Sequence, residues 1–308
     1  MVGVLIGFAI IVAIIIVGYL IGRFNLLGSS ADRVLSRLAF FVLSPALLFT
    51  VLAEANVAHL FSAFLPISAI AAVADIAVFL VIALLLWRRS IPQATIGALS
   101  SAYVNANNIG LPVSVYVLGD ASSSAPVILL QLIVLAPIAL TILDVSTSGK
   151  LSMGRIVLQP VRNPLIIGSL LGLIVAVTHL QIPAPVLAPF QLVGAAAVPV
   201  ILMNFGMSLH GSRVLAPGTD RKDVILASTL KLAVMPVIAW LLAHFVWHLQ
   251  GHQLFVVVVL AALPTAQNVF NYAQRYDSGV TLARDTVLIT TALSIVALVI
   301  IAALLASG

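Results

Sequence analysis

The chain contains no cysteine and very little charge: of its 308 residues only 7% are Asp, Glu, Lys or Arg. Without cysteine there is no disulfide framework and no thiolate metal site, and the redox compartment leaves no mark. Average soluble proteins carry about 25% charged residues, so this chain cannot clothe a water-facing surface. Low-complexity segments are missing, as is any polar stretch long enough to form a soluble domain. The signatures of an intramembrane enzyme are missing too, with no HExxH, no GxSxG and no paired carboxylates. What is present is apolar: 62% hydrophobic residues and a mean hydropathy of +1.24. That composition implies an all-α polytopic membrane protein. The opening apolar run has no basic leader and no small-x-small cleavage site, and reads as a first spanning helix.

About 20 apolar residues cross a bilayer. Ten such runs fit the sequence, at roughly 3–22, 34–53, 63–87, 92–118, 121–143, 158–178, 185–210, 223–247, 253–276 and 280–306. The basic residues test this division. Arg23, Arg33 and Arg37 follow or open on the first connection, Arg88 and Arg89 the third, and Lys150, Arg155 and Arg162 the fifth. Arg213, Arg221 and Lys222 mark the seventh, and Arg275 and Arg284 the ninth. The intervening connections carry none, so every Lys and Arg except Lys231 falls on one side. The positive-inside rule makes that side cytoplasmic and puts both termini outside, in a cell membrane. The net charge of +5 is thus a topology signal and needs no nucleic-acid partner.

Ten spans divide into five and five, residues 1–149 and 150–308, so the second half lies inverted relative to the first. Span 2 holds SPALLFTVL and span 7 VPVILMNFG, each with a mid-helix proline, Pro45 and Pro199. Span 4 holds VNANNIGLP and span 9 LPTAQNVFN. Interrupted segments at matching positions of inverted halves point to a transporter's substrate site. Pro112 removes a backbone donor and crowds the carbonyl of Asn108, Gly110 loosens the backbone, and Asn107 and Asn108 suit the N-cap of a new helix. The expectation is a half-helix at about 92–104, a link at 105–108 and a second half-helix at 109–118. In span 9, Pro264 breaks the helix after Leu263 and a second half-helix starts near Asn268. Irregular backbone at membrane depth must be buried by protein or line water, so the two breaks should meet. Each offers a half-helix N-terminus, a site for an anion and above all a carboxylate. The candidate substrate-binding residues are Asn105, Asn107, Asn108, Gly110 and Pro112 with Pro264, Thr265, Gln267 and Asn268. No Asp or Glu lies at either break, so a cationic solute finds no counter-charge.

These stretches also carry a resemblance. NANNIGLP with the Gly119-Asp120 end, and LPTAQNVFNYAQRYD, are similar to the fourth- and ninth-helix motifs of the auxin efflux carrier family. RNPLIIGSLLGLI and LKLAVMPVIAW resemble its sixth and eighth helices. The resemblance covers essentially the whole chain. It implies a scaffold of helices 1, 2, 6 and 7 (about 3–53 and 158–210) that dimerises. It also implies a transport unit of helices 3–5 and 8–10 (about 63–143 and 223–306), an elevator-like alternation, and a carboxylate bound where broken helices 4 and 9 cross. The family's crossover asparagine falls on Asn105 and its ninth-helix proline on Pro264. Val104 stands where the plant carriers have proline, and the loop between the halves is short, so the chain resembles a compact bacterial member linked to malonate, malate and similar acids.

Two charged residues lie well inside spans, Asp75 and Lys231. Intramembrane charges are functional candidates by default: Asp75 for a coupling proton or ion, H+ or Na+, and Lys231 for holding an anion. No other cofactor is implied. His244, His248 and His252 share helical spacing, but Gly251 interrupts it and the metal ligand count is unmet. Two readings of the site compete with a proton- or potential-driven carrier of small organic anions. One is a sodium-coupled organic-anion symporter resembling the bile-acid carriers; the other is a simple channel.

Overall fold

The computed structural model describes residues 2–28, 30–55, 63–148, 163–208 and 221–305. Among them the chain is helical throughout, and the only extended pairing is a one-residue bridge. In chain order the helices are α1 (Val2–Arg23), α2 (31–53), α3 (Leu65–Leu86) and α4 (Ile91–Ala102). Then follow α5 (106–118), α6 (Ala121–Thr147), α7 (Pro164–Thr178) and α8 (Ala184–Ser208). The last four are α9 (Arg221–Val246), α10 (Gly251–Ala261), α11 (Gln267–Arg275) and α12 (Val280–Leu305). Six of them, α2, α3, α6, α8, α9 and α12, are long and apolar enough to cross a membrane by length and composition. The basic loop residues Lys150, Arg155, Arg162 and Arg213 lie outside the described residues.

Proline sets much of the helix geometry. A proline inside a helix lacks the N–H for the ladder and crowds the carbonyl one turn back. At four prolines the helix widens one turn upstream. The π-helical turns Ala39–Leu43, Ala106–Gly110, Gln131–Leu135 and Leu230–Val234 each end two residues before a proline, Pro45, Pro112, Pro137 and Pro236. The wider turn relieves the crowding without breaking the helix. Pro112 therefore does not interrupt span 4. The interruption comes earlier, at 103–105, because α4 ends at Ala102 and the widened turn lets α5 start at Ala106. This corrects the expected link at 105–108. Asn107 and Asn108 lie in the first turn of α5, and the residue that caps it is Asn105.

Packing follows small residues. At Gly18 of α1 and Gly206 of α8 a β-carbon would collide with the backbone of the opposite helix, and at Gly168 of α7 with Pro45 of α2. In a membrane, where lipid is as apolar as leucine, such close backbone approach is what holds helices together. One group thus forms from α1, α2, α7 and α8. A second group, α3, α4, α6, α9, α10, α11 and α12, packs on itself. At its centre every residue from 94 to 106 and from 254 to 266 is buried. A helix apolar on all faces belongs in the middle of a bundle. The two breaks lie at the ends of these enclosed stretches, shielded from lipid.

Candidate functional site

The breaks meet backbone to backbone. Val104 and Thr265 form an antiparallel bridge. Asn105 N–H donates to the Pro264 carbonyl at 2.7 Å, and Ala266 N–H donates to the Tyr103 carbonyl at 2.9 Å. Thr265 completes the knot: its hydroxyl donates to the Ser100 carbonyl at 2.6 Å, and its N–H to the Thr290 hydroxyl at 3.1 Å. Each helix interruption supplies the partners that the other lacks, which is the condition for irregular backbone at membrane depth. Pro264 fits because it brings a carbonyl and no donor to satisfy.

The two helices that leave the crossing differ at their N-termini. In α5 the Asn105 carboxamide oxygen accepts from Asn108 N–H at 3.2 Å, so the side chain caps its own helix. In α11 the N-cap is Ala266, and no side chain caps the first turn. The free N–H groups and the positive end of the dipole are therefore open at α11 and partly spent at α5.

Both termini face one cavity of about 600 Å³, within the ~300–1,000 Å³ range typical of small-molecule sites. Of the residues expected at the site, Asn105, Asn107, Asn108, Gln267 and Asn268 line it. Asn105 is 6% exposed. Asn107 donates to the Asn108 side-chain oxygen at 2.9 Å and keeps its own oxygen without a partner among the described residues. The other four do not line it. Thr265 and Pro264 are buried in the knot, Pro112 is buried inside α5, and Gly110 abuts Leu263 and Ser124. Their part is to shape the crossing.

Sequence reasoning pointed to Tyr103 beside the break, which lines the cavity too, and missed most of the other polar lining. From α2 come Arg33, Ser36 and Arg37, from α6 Gln131, from α8 Asn204, and from α11 Asn271 and Gln274. Asn204 donates to the Ser36 hydroxyl at 2.8 Å and ties the two helices at the cavity wall. The signals existed. Gln131 and Asn204 are polar residues within apolar runs, and Arg33 and Arg37 stand one helical turn apart on one face. The arginines also belong to the basic topology pattern, which masks their place in the lining. Among the described residues the lining holds these two cations and no carboxylate.

Asp75 and Lys231 lie behind the crossing, and neither lines the cavity. Both are fully buried. Lys231 does not reach a membrane surface. Its ammonium donates to the Ala261 carbonyl at 2.8 Å and contacts the Met235 sulfur at 2.8 Å. Ala261 is the last residue of α10, so a cation sits at the negative end of that helix. Asp75 has no hydrogen-bond partner among the described residues, and its electrostatic partner is Lys231. Nearer the helix ends, Arg89 binds Asp223 through both carboxylate oxygens, at 2.5 and 3.2 Å. His244 stacks on Trp240, and no cluster of metal-ligating side chains forms among the described residues.

Apolar membrane-length helices and a polar cavity at an interrupted crossing define a class, the membrane transporters. The family described as "Membrane transport protein" matches residues 4–152 and 147–302, and the chain belongs to it. This is the family of the auxin efflux carriers, as the motifs of spans 4 and 9 imply. The chain is a multi-pass membrane transporter and not an enzyme. It is 26% identical over 303 residues to the "Putative malonate transporter" of Rhizobium meliloti (strain 1021), a match spanning 96% of this chain and 93% of that protein.

Proposed function

We propose that the chain is a secondary transporter that moves a small organic carboxylate across the cell membrane by elevator-like alternating access, binding it at the crossing. The observation that carries this reading is the uncapped N-terminus of α11, opening into a cavity lined by Asn105, Asn107, Asn108, Gln267 and Asn268 and free of carboxylates among the described residues. An anion gains there from free N–H groups, helix dipole and neutral amide donors. The relative named for malonate supports the same substrate class.

The moving unit in this reading is α3–α6 with α9–α12, and the scaffold is α1, α2, α7 and α8, whose outer face forms a homodimer. The ten spans are the twelve helices with α4–α5 and α10–α11 each counted as one broken span. Repeated local geometry supports the inverted duplication. Trp87 and Trp247, each at a helix end, precede Arg88 and His248, both with φ of 51°. The next N–H groups, Arg89 and Leu249, then reach back to Ala83 and Ala243, both at 2.8 Å. The positive-inside pattern puts both termini outside and opens the cavity, beside Arg33 and Arg37, toward the cytoplasm. Asp75 is the candidate proton site, with Lys231 as its counter-charge.

Saturable counterflow of labelled malonate in proteoliposomes tests the function. Uptake that never saturates would indicate a pore and end the carrier reading.

A further inference from the structure

The two arginines are not needed to explain a monocarboxylate at the crossing. We propose that Arg33 and Arg37 form a second anion subsite, so that the cavity selects dicarboxylates over monocarboxylates. The inference rests on the reading that a carboxylate binds in this cavity.

Three observations support it. First, charge: the lining carries two guanidinium groups and, among the described residues, no acidic side chain. A dianion balances that charge and a monoanion does not. Second, placement: Arg33 and Arg37 stand one turn apart on α2, and the α11 N-terminus with Asn107 and Asn108 lines the same cavity. Two anion-attracting groups lining one space fit a ligand with a charge at each end. Guanidinium pairs with carboxylate by parallel charge-assisted hydrogen bonds. Third, the intervening wall is polar, with Ser36 bonded to Asn204 and the Asn204 carboxamide oxygen left without a partner among the described residues. Phe40, Phe41 and Phe205 line the cavity as well. An aromatic monocarboxylate is thus the natural competitor.

The test uses the full-length protein in detergent at constant ionic strength, since exposed guanidinium groups also attract anions diffusely. Binding of malonate, succinate, acetate and phenylacetate is measured by calorimetry, with thermal shift as a second readout. Malonate or succinate should bind on the order of tenfold tighter than acetate, the scale of one charge-assisted hydrogen bond. In the double variant Arg33→Gln/Arg37→Gln the ratio of malonate to acetate affinity should shrink to about threefold or less. Arg33→Lys/Arg37→Lys keeps the charge, guards against misfolding and should retain an intermediate ratio. Equal affinity of the native protein for malonate and acetate overturns the subsite, as does tighter binding of phenylacetate. A glutamine variant that weakens both acids equally leaves the ratio intact and also overturns it, because the arginines then act only as diffuse charge. Asn105→Ala separates the two proposals. If it leaves acetate binding untouched while the glutamine pair still removes the malonate preference, the crossing assignment fails and the arginine subsite stands.

Discussion

Asn105 does two things at once. Its side chain caps α5 through Asn108 N–H, and it lines the cavity. Replacing an N-cap by alanine costs about 0.5–2 kcal/mol, which a folded bundle can absorb. Asn105→Ala should therefore express normally yet lose most transport in proteoliposomes, because the crossing loses both a cap and an amide donor. Asn105→Ser keeps a capping oxygen. If serine restores stability but not transport, the amide acts on the substrate; if it restores both, Asn105 is a structural cap alone. Asp75 and Lys231 pose another case, two buried opposite charges that bear on each other without a direct hydrogen bond. Breaking a buried pair by removing one partner costs about 3–5 kcal/mol, whereas replacing both can be neutral. Asp75→Asn and Lys231→Met should each lower the unfolding temperature of the purified protein, and the double variant should recover most of the loss. A double variant no more stable than either single one would mean that the two are not paired. The sequence announced both residues by their rarity in apolar spans. It gave no view of the Lys231 ammonium reaching Ala261, thirty residues along the chain, because that contact depends on how α9 packs against α10.

The interrupted helices show what a pattern can and cannot carry. Proline and clustered amides marked both breaks, and physics required them to meet, since neither could satisfy its backbone alone. The register was not legible. A π turn upstream of Pro112 shifts the helix by a fraction of a turn, so Pro112 sits inside α5 and the break falls at 103–105. That shift makes Asn105 the cap and leaves α11 as the open N-terminus. The other end of the broken helix bears on coupling. Carbonyls at the end of α10 would suit Na+, the need of the alternative sodium symporter. The Ala261 carbonyl is already held by the Lys231 ammonium, a tethered cation at the negative end of the helix. Malonate uptake should thus persist when choline replaces Na+. A loss of more than about tenfold, the weight of a strong helix-end interaction, would favour the sodium-coupled reading. Asp75→Asn should in turn flatten the pH profile of uptake, and an unchanged profile would remove Asp75 from the coupling step.

At the scale of the whole molecule, two packing regimes meet at the cavity. Glycines at 18, 168 and 206 let α1, α2, α7 and α8 touch backbone to backbone, a rigid arrangement with little room to slide. The helices around α4 and α10 pack on one another as a second group, and the cavity is lined by both groups, by α2, α7 and α8 and by α6 and α11, together with α5. Composition made the membrane class legible, but how these helices group depends on which glycines face which backbones. If the groups move as proposed, the cavity must be accessible from one side of the membrane at a time. The absence of cysteine makes this measurable, because any thiol introduced is the only one. Gln274 lines the cavity on α11, is exposed, and stands away from the helix N-terminus proposed to hold substrate. Gln274→Cys should react with a membrane-impermeant maleimide in inside-out vesicles and be protected in sealed cells, given the cytoplasmic opening that the basic loops imply. Saturating malonate should change the labelling rate as it redistributes the protein between states. Fast labelling from the outside of sealed cells would invert the assigned orientation. A rate indifferent to substrate under every condition would leave the alternating-access mechanism without support.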